Sequence, residues 1–161
     1  MTVELAAVRL IAPWYGTSAA VWTNVIGVIL LALAVGYLVG ARLSRGPSPG
    51  TWLGRALLLA SIFTVWLPFG AGPVCELFLP SGLALDEAAG LLRWGSLGTS
   101  ILLFLPPAVV LGLVGPLSVE LVMSGRGGHA GDAGGRVLAA STLGSLVGTF
   151  GTTHVLSLIH I

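Results

Sequence analysis

The chain has 161 residues, 55% of them apolar or aromatic and only 8% charged, where an ordinary soluble domain carries roughly 25% charged residues. A formal net charge of +1 with no basic stripe excludes a nucleic-acid binder, and a mean hydropathy of +1.01 excludes disorder. The single cysteine, Cys75, excludes an internal disulfide and a thiolate metal cluster. What remains is an all-α protein, a polytopic membrane helix bundle.

In chain order, the first apolar stretch runs from Met1 to Ile11 and is interrupted by Glu4 and Arg9. It predicts a partial helix over 2–12, half a span at most, since about 20 apolar residues are needed to cross about 30 Å of hydrocarbon. It is no signal peptide, because there is no basic leading region and no small-residue cleavage site. It reads as the second half of a helix whose first half is missing. Four full spans follow, over about 18–43, 52–76, 94–122 and 135–155. Their apolar runs are bounded by Arg42, Arg55, Glu76, Arg93, Glu120 and Arg136. Pro106, Pro107 and Pro116 lie inside the third full span. That segment, the fourth helix counting the partial one, is expected to be kinked or broken near its middle.

The connections are turn-rich: Ser44 to Gly50 by its prolines and glycines, Ser124 to Gly135 by its glycines. Between the second and third full spans, Asp86 and Glu87 open a short helical stretch over Leu85 to Trp94 that is expected to lie in the interface. Five of the seven arginines, Arg42, Arg45, Arg55, Arg126 and Arg136, fall in the loops 42–55 and 123–136. Cytoplasmic loops are enriched in basic residues, so both loops are assigned to the cytoplasm. Trp14, Tyr15 and Trp94 then fall at the outer interface and Trp52 at the inner one.

Without a strong hydrophobic force between helices in lipid, small residues let backbones approach closely. Ala32, Gly36 and Gly40 repeat at i+4 along one helix, and Ala140, Gly144 and Gly148 along another. Both faces are candidate helix-packing surfaces, within the chain or in a homo-oligomer, with a glycine hinge as the other reading. No catalytic motif is found. Gly125 to Ala130 looks like a degenerate dinucleotide fingerprint but follows no strand, His129 and Asp132 are too few for a metal site, and Cys75 reads as a small apolar filler. An ionisable group inside the bilayer costs several kcal/mol unless it is paired or faces a cavity. Glu4, roughly 15 Å below the outer interface, and Arg9, roughly 7 Å below it, are therefore the candidate substrate-binding residues. The competing reading is that they simply neutralise one another.

One resemblance runs through nearly the whole chain. It starts with Glu4-x4-Arg9-Leu10-x-Ala12-Pro13-x-Tyr15-Gly16-Thr17-Ser18, then Val21-Trp22-Thr23, Ile26-Gly27-Val28, Ala32-Leu33, Gly36-Tyr37 and Gly40-Ala41-Arg42-Leu43. Leu105-Pro106-Pro107-x4-Gly112-x2-Gly115-Pro116-Leu117 and Gly135-Arg136-x2-Ala139-x-Ser141-Thr142-Leu143-Gly144-Ser145-x2-Gly148-Thr149 continue it. This joint pattern resembles the N-terminal membrane domain of bacterial fused spermidine synthases, with Ala41 where that family usually has a second glycine. The resemblance implies a bacterial inner membrane protein whose C-terminal catalytic domain, methyltransferase-like in fold, uses decarboxylated S-adenosylmethionine as co-substrate with putrescine. No such domain is expected within these residues, so no catalytic residue and no cofactor is carried onto this chain. Leu156-Ser157-Leu158-Ile159-His160-Ile161 resembles a translated sequencing-library adapter, which leaves 1–155 as the expected membrane domain.

Three functions stay open on these grounds. One is the membrane domain of a spermidine synthase-like protein, anchoring a catalytic domain and handling polyamine. Another is a piece of a secondary transporter with a site at the broken fourth helix. The last is a membrane scaffold that binds no ligand.

Overall fold

A computed structural model describes residues 2–79, 88–126 and 129–159. They form five helices and no strand: α1 Thr2–Tyr15, α2 Ala19–Leu43, α3 Pro49–Phe78, α4 Ala88–Arg126 and α5 Ala130–Ile159. Each expected segment is a helix, and every helix but α2, which spans 19–43 against the expected 18–43, outruns it, because the backbone stays helical past the apolar stretch. Gly16, at φ +70°, ends α1 in the left-handed region that glycine reaches without a Cβ clash. Ser18 caps α2, its Oγ accepting from the Val21 N–H at 3.4 Å. Pro49 begins α3 at a position where its missing N–H is not needed.

Three helices are long and apolar enough to cross a membrane: α2, α3 and the stretch Leu92–Gly125 of α4. The fifth helix is 30 residues long; its described part, in which leucines and valines are interleaved with glycine, serine and threonine, is not among the three. The outside of the bundle is apolar. Leu31, Leu58, Phe69 and Val147 are each more than 60% exposed, an inversion of a soluble fold that suits lipid as solvent.

Two expectations change. Residues 88–94 are not a separate interfacial helix; they are the first turns of α4, which continues without a stop signal into the span. Of the kink or break expected at Pro106 and Pro107, the break is absent, since α4 runs from Ala88 to Arg126 as one helix with Pro106, Pro107 and Pro116 inside it. Each proline removes one backbone hydrogen bond. Opening the helix further would expose more unpaired groups than lipid can satisfy, so continuity is favoured. Similarly, α3 continues through Pro68 and Pro73.

The packing has α4 at its centre, against α2 and α3 along most of its length and against α5 and α1 more briefly. Contacts fix the directions. Asn24 meets Ser96, Gly36 meets Gly112 and Gly40 meets Pro116, so α2 and α4 run parallel. Gly50 lies by Leu121 and Phe78 by Gly98, so α3 runs antiparallel to both. The connections after α2 and after α4 therefore share one end of the bundle, which carries Arg42, Arg45, Arg55 and Arg136. At that end the Arg55 guanidinium lies 5.3 Å from the centre of the Trp52 ring, a cation–π contact. The apolar core lies toward the opposite end, where Ile11, Val25, Cys75 and Phe104 bring α1, α2, α3 and α4 together.

Candidate functional site

The described residues hold one buried polar cluster, at the end of the bundle opposite the arginines. Ser96, Thr99 and Ser100 are all fully buried, and their spacing of three and four places them on one face of α4. The Tyr15 hydroxyl and Thr99 Oγ1 are 2.7 Å apart and buried, joining the last residue of α1 to α4. From α2, Asn24 Nδ2 donates to Ser96 Oγ at 2.8 Å and to the Arg93 carbonyl at 2.9 Å. Ser96 Oγ donates to that same carbonyl at 3.0 Å, and Ser100 Oγ donates to the Ser96 carbonyl at 2.6 Å. Two of the serine hydroxyls are thus satisfied within α4, leaving Asn24 and Tyr15 to make the links between helices. No buried side-chain polar atom among the described residues lacks a partner, so the cluster acts as interhelical glue rather than as a set of groups awaiting a ligand.

Room for this cluster depends on glycine. A Cβ at Gly95 would lie 3.1 Å from the Tyr15 ring and 3.3 Å from the Phe78 carbonyl oxygen, and one at Gly98 would lie 2.6 Å from the Phe78 ring. Cys75 is a free thiol, fully buried in the adjoining apolar core with Ala71 and Val74. Sequence reading placed Tyr15 at the outer interface and did not single out Asn24, Ser96, Thr99 or Ser100. The spacing of 96, 99 and 100 inside an apolar segment was the available signal.

The small-residue faces fare differently. Ala32, Gly36 and Gly40 are buried against α4. A Cβ on Gly36 would run into the Val109 carbonyl oxygen and stand 2.8 Å from the Gly112 Cα, while one on Gly112 would stand 2.8 Å from the Leu33 carbonyl oxygen. At Gly40 a Cβ would be 3.0 Å from Leu113 Cα and 3.3 Å from Pro116 Cγ. Gly112 on α4 is therefore the partner that single-helix reading did not supply. On α5, Ala140 and Gly144 are exposed and Gly144 has open space beside it, while Gly148 is half-buried. Within this chain that face is largely unpacked.

Arg9 is exposed on α1, turned away from the buried Ala7, Val8 and Ile11. Glu4 belongs to α1, but its side chain lies outside the described residues, as do His160 and Ile161 and the acidic pair Asp86 and Glu87. Of the carboxylates at span ends, Glu76 is exposed and Glu120 half-buried. His129 and Asp132 are exposed at the start of α5, where the His129 carbonyl accepts from the Asp132 N–H at 3.1 Å. No group of three metal-ligating side chains occurs among the described residues.

A cleft of about 460 Å³ opens between α4 and α5 at the arginine-bearing end, lined by Leu121, Val122, Gly125, Arg136, Val137 and Ala140. No protein-family model, no curated protein and no solved structure matches the chain.

Proposed function

We propose that the chain is the membrane-embedded domain of a spermidine synthase-like protein of the bacterial inner membrane, anchoring an aminopropyltransferase-like catalytic domain. The observation that carries this reading is where the residues of the resemblance lie. Tyr15, Gly36 and Gly40 come from its first run and Gly112 and Pro116 from its second, some 75 residues on. In space, Gly36 and Gly40 lie against the stretch that holds Gly112 and Pro116, and Tyr15 is hydrogen-bonded to the same helix. Glycines at these close approaches are what a packed membrane anchor requires. Three apolar spanning helices with an apolar exterior supply what an anchor needs, and α5 would be the fourth span.

In this reading the end bearing Arg42, Arg45, Arg55 and Arg136 faces the cytoplasm, since basic residues there stay on the untranslocated side. The catalytic domain would lie beyond these residues, with decarboxylated S-adenosylmethionine as its co-substrate. Reading the gene past codon 155 tests this: an αβ nucleotide-binding domain is expected, and a genuine stop codon at that point overturns the assignment.

Polyamine handling is the finer part of the proposal and is assigned to Glu4, with Arg9 five residues on in the sequence. A carboxylate held in an apolar layer is stabilised by a cation, and a polyamine presents several. Glu4→Gln in the full-length protein is expected to abolish spermidine flux into proteoliposomes, whereas unchanged flux removes Glu4 from that role. The unbroken α4 leaves the transporter alternative without the interrupted helix on which it was based.

A further inference from the structure

We infer that the cleft between α4 and α5 is a binding site for the headgroup phosphate of an anionic phospholipid, with Arg136 as the residue that recognises it. The inference rests on the proposed membrane location but not on the identity of the missing catalytic domain. Leu121, Val122, Val137 and Ala140 make the walls apolar, while Arg136 and the bare backbone of Gly125 supply the polar part of the lining. Among the described residues, Gly125, Gly134 and Gly135 have open space where a Cβ would stand, which leaves the backbone at the mouth of the cleft uncovered. At about 460 Å³ the cleft is far larger than the roughly 30 Å³ that one water occupies.

The charges around the cleft favour an anion. Arg136 is exposed, with Asp132 one turn earlier on α5 and Glu120 adjoining Leu121, and no ion pair joins them among the described residues. Arg42, Arg45 and Arg55 share the same end of the bundle, giving it a positive field that a zwitterionic headgroup matches less well. Arginine binds phosphate through paired N–H donors in a planar fork. Free phosphate would use that fork and leave the apolar walls uncovered. A lipid covers both, placing its phosphate on Arg136 and its glycerol and upper acyl carbons against Leu121 and Val137.

The test uses the full chain in phosphatidylcholine vesicles doped with spin-labelled phosphatidylglycerol or, in parallel, spin-labelled phosphatidylcholine, reading the immobilised lipid fraction. Retention of the protein with the vesicles on flotation checks the membrane location separately, and loss of flotation overturns that reading first. About fivefold preferential retention of phosphatidylglycerol is expected. It should fall to near parity in Arg136→Gln, weaken without vanishing in Arg136→Lys, which keeps the charge but loses the planar fork, and be lost in Ala140→Trp, which fills the cleft but keeps the charge. A floating chain without phosphatidylglycerol preference overturns the proposal. So does a preference untouched by Arg136→Gln or by Ala140→Trp, which would place the effect on the general charge of that end. Full displacement of the lipid by millimolar inorganic phosphate would reassign the cleft to the free anion.

Discussion

Gly36→Leu is expected to lower the stability of the bundle by about 3 kcal/mol, at the upper end of the cost of overpacking a close-packed site. Gly36→Ala should already cost about 1–3 kcal/mol. The reason is that the obstruction at Gly36 is backbone: the Val109 carbonyl and the Gly112 Cα, neither of which can rotate aside. To admit a methyl group, α2 and α4 must separate, which gives up dispersion contacts along the whole seam from Ala32 to Pro116. Gly27→Ala on the same helix is the control, because a Cβ there meets nothing; that change should be neutral or slightly stabilising, as alanine is the better helix former. Thermal unfolding of both variants in one detergent reads the difference. Equal stability of Gly36→Ala and Gly27→Ala would mean that α2 and α4 do not meet at Gly36.

Tyr15→Phe and Thr99→Val are each expected to cost about 1–2 kcal/mol, with a coupling energy of about 0.6–1.7 kcal/mol in the double-mutant cycle. The pair is buried, 2.7 Å apart, and joins helices 84 residues distant in sequence. Removing either hydroxyl leaves the other in an apolar surround. Thr99 has a partial remedy, since a helical threonine can turn its hydroxyl to the carbonyl one turn back, so Tyr15→Phe should be the milder change. Tyr15 also fills the space that Gly95 leaves open, and Phe preserves that packing, so the cycle isolates the hydrogen bond. A coupling energy near zero would show that the two hydroxyls do not interact and that α1 is held by Ile11 and its apolar neighbours alone.

These two results concern α1 and α2 against α4, the part of the molecule where the sequence was least informative. The helices themselves were legible: an apolar run of about 20 residues bounded by arginine or glutamate can satisfy its own backbone in lipid only as a helix. The segments at 18–43 and 52–76 lie within α2 and α3, apart from the Ser18 cap, for that reason. The Ala32, Gly36 and Gly40 repeat could be recognised as a packing face from one helix alone. Its partner could not, because Gly112 belongs to no comparable repeat. The α4 prolines show the opposite limit, for local chemistry read in isolation argued for an interruption, and the helix is continuous.

By itself, then, the sequence determined the apolar, membrane-like character of this protein, the number and approximate limits of its helices, and the gathering of five of its seven arginines in two stretches, all consequences of local composition. Tertiary structure decided which faces meet. It set α2 parallel to α4 with α3 between them in the chain, drew Tyr15 and Asn24 onto the hydroxyl face of α4, and left the small-residue face of α5 largely unpacked with a cleft at Arg136. The physical reason is that α2, α3 and α4 are apolar outside as well as inside. Hydropathy then no longer marks an inner face, and shape and hydrogen bonding between distant segments choose it instead.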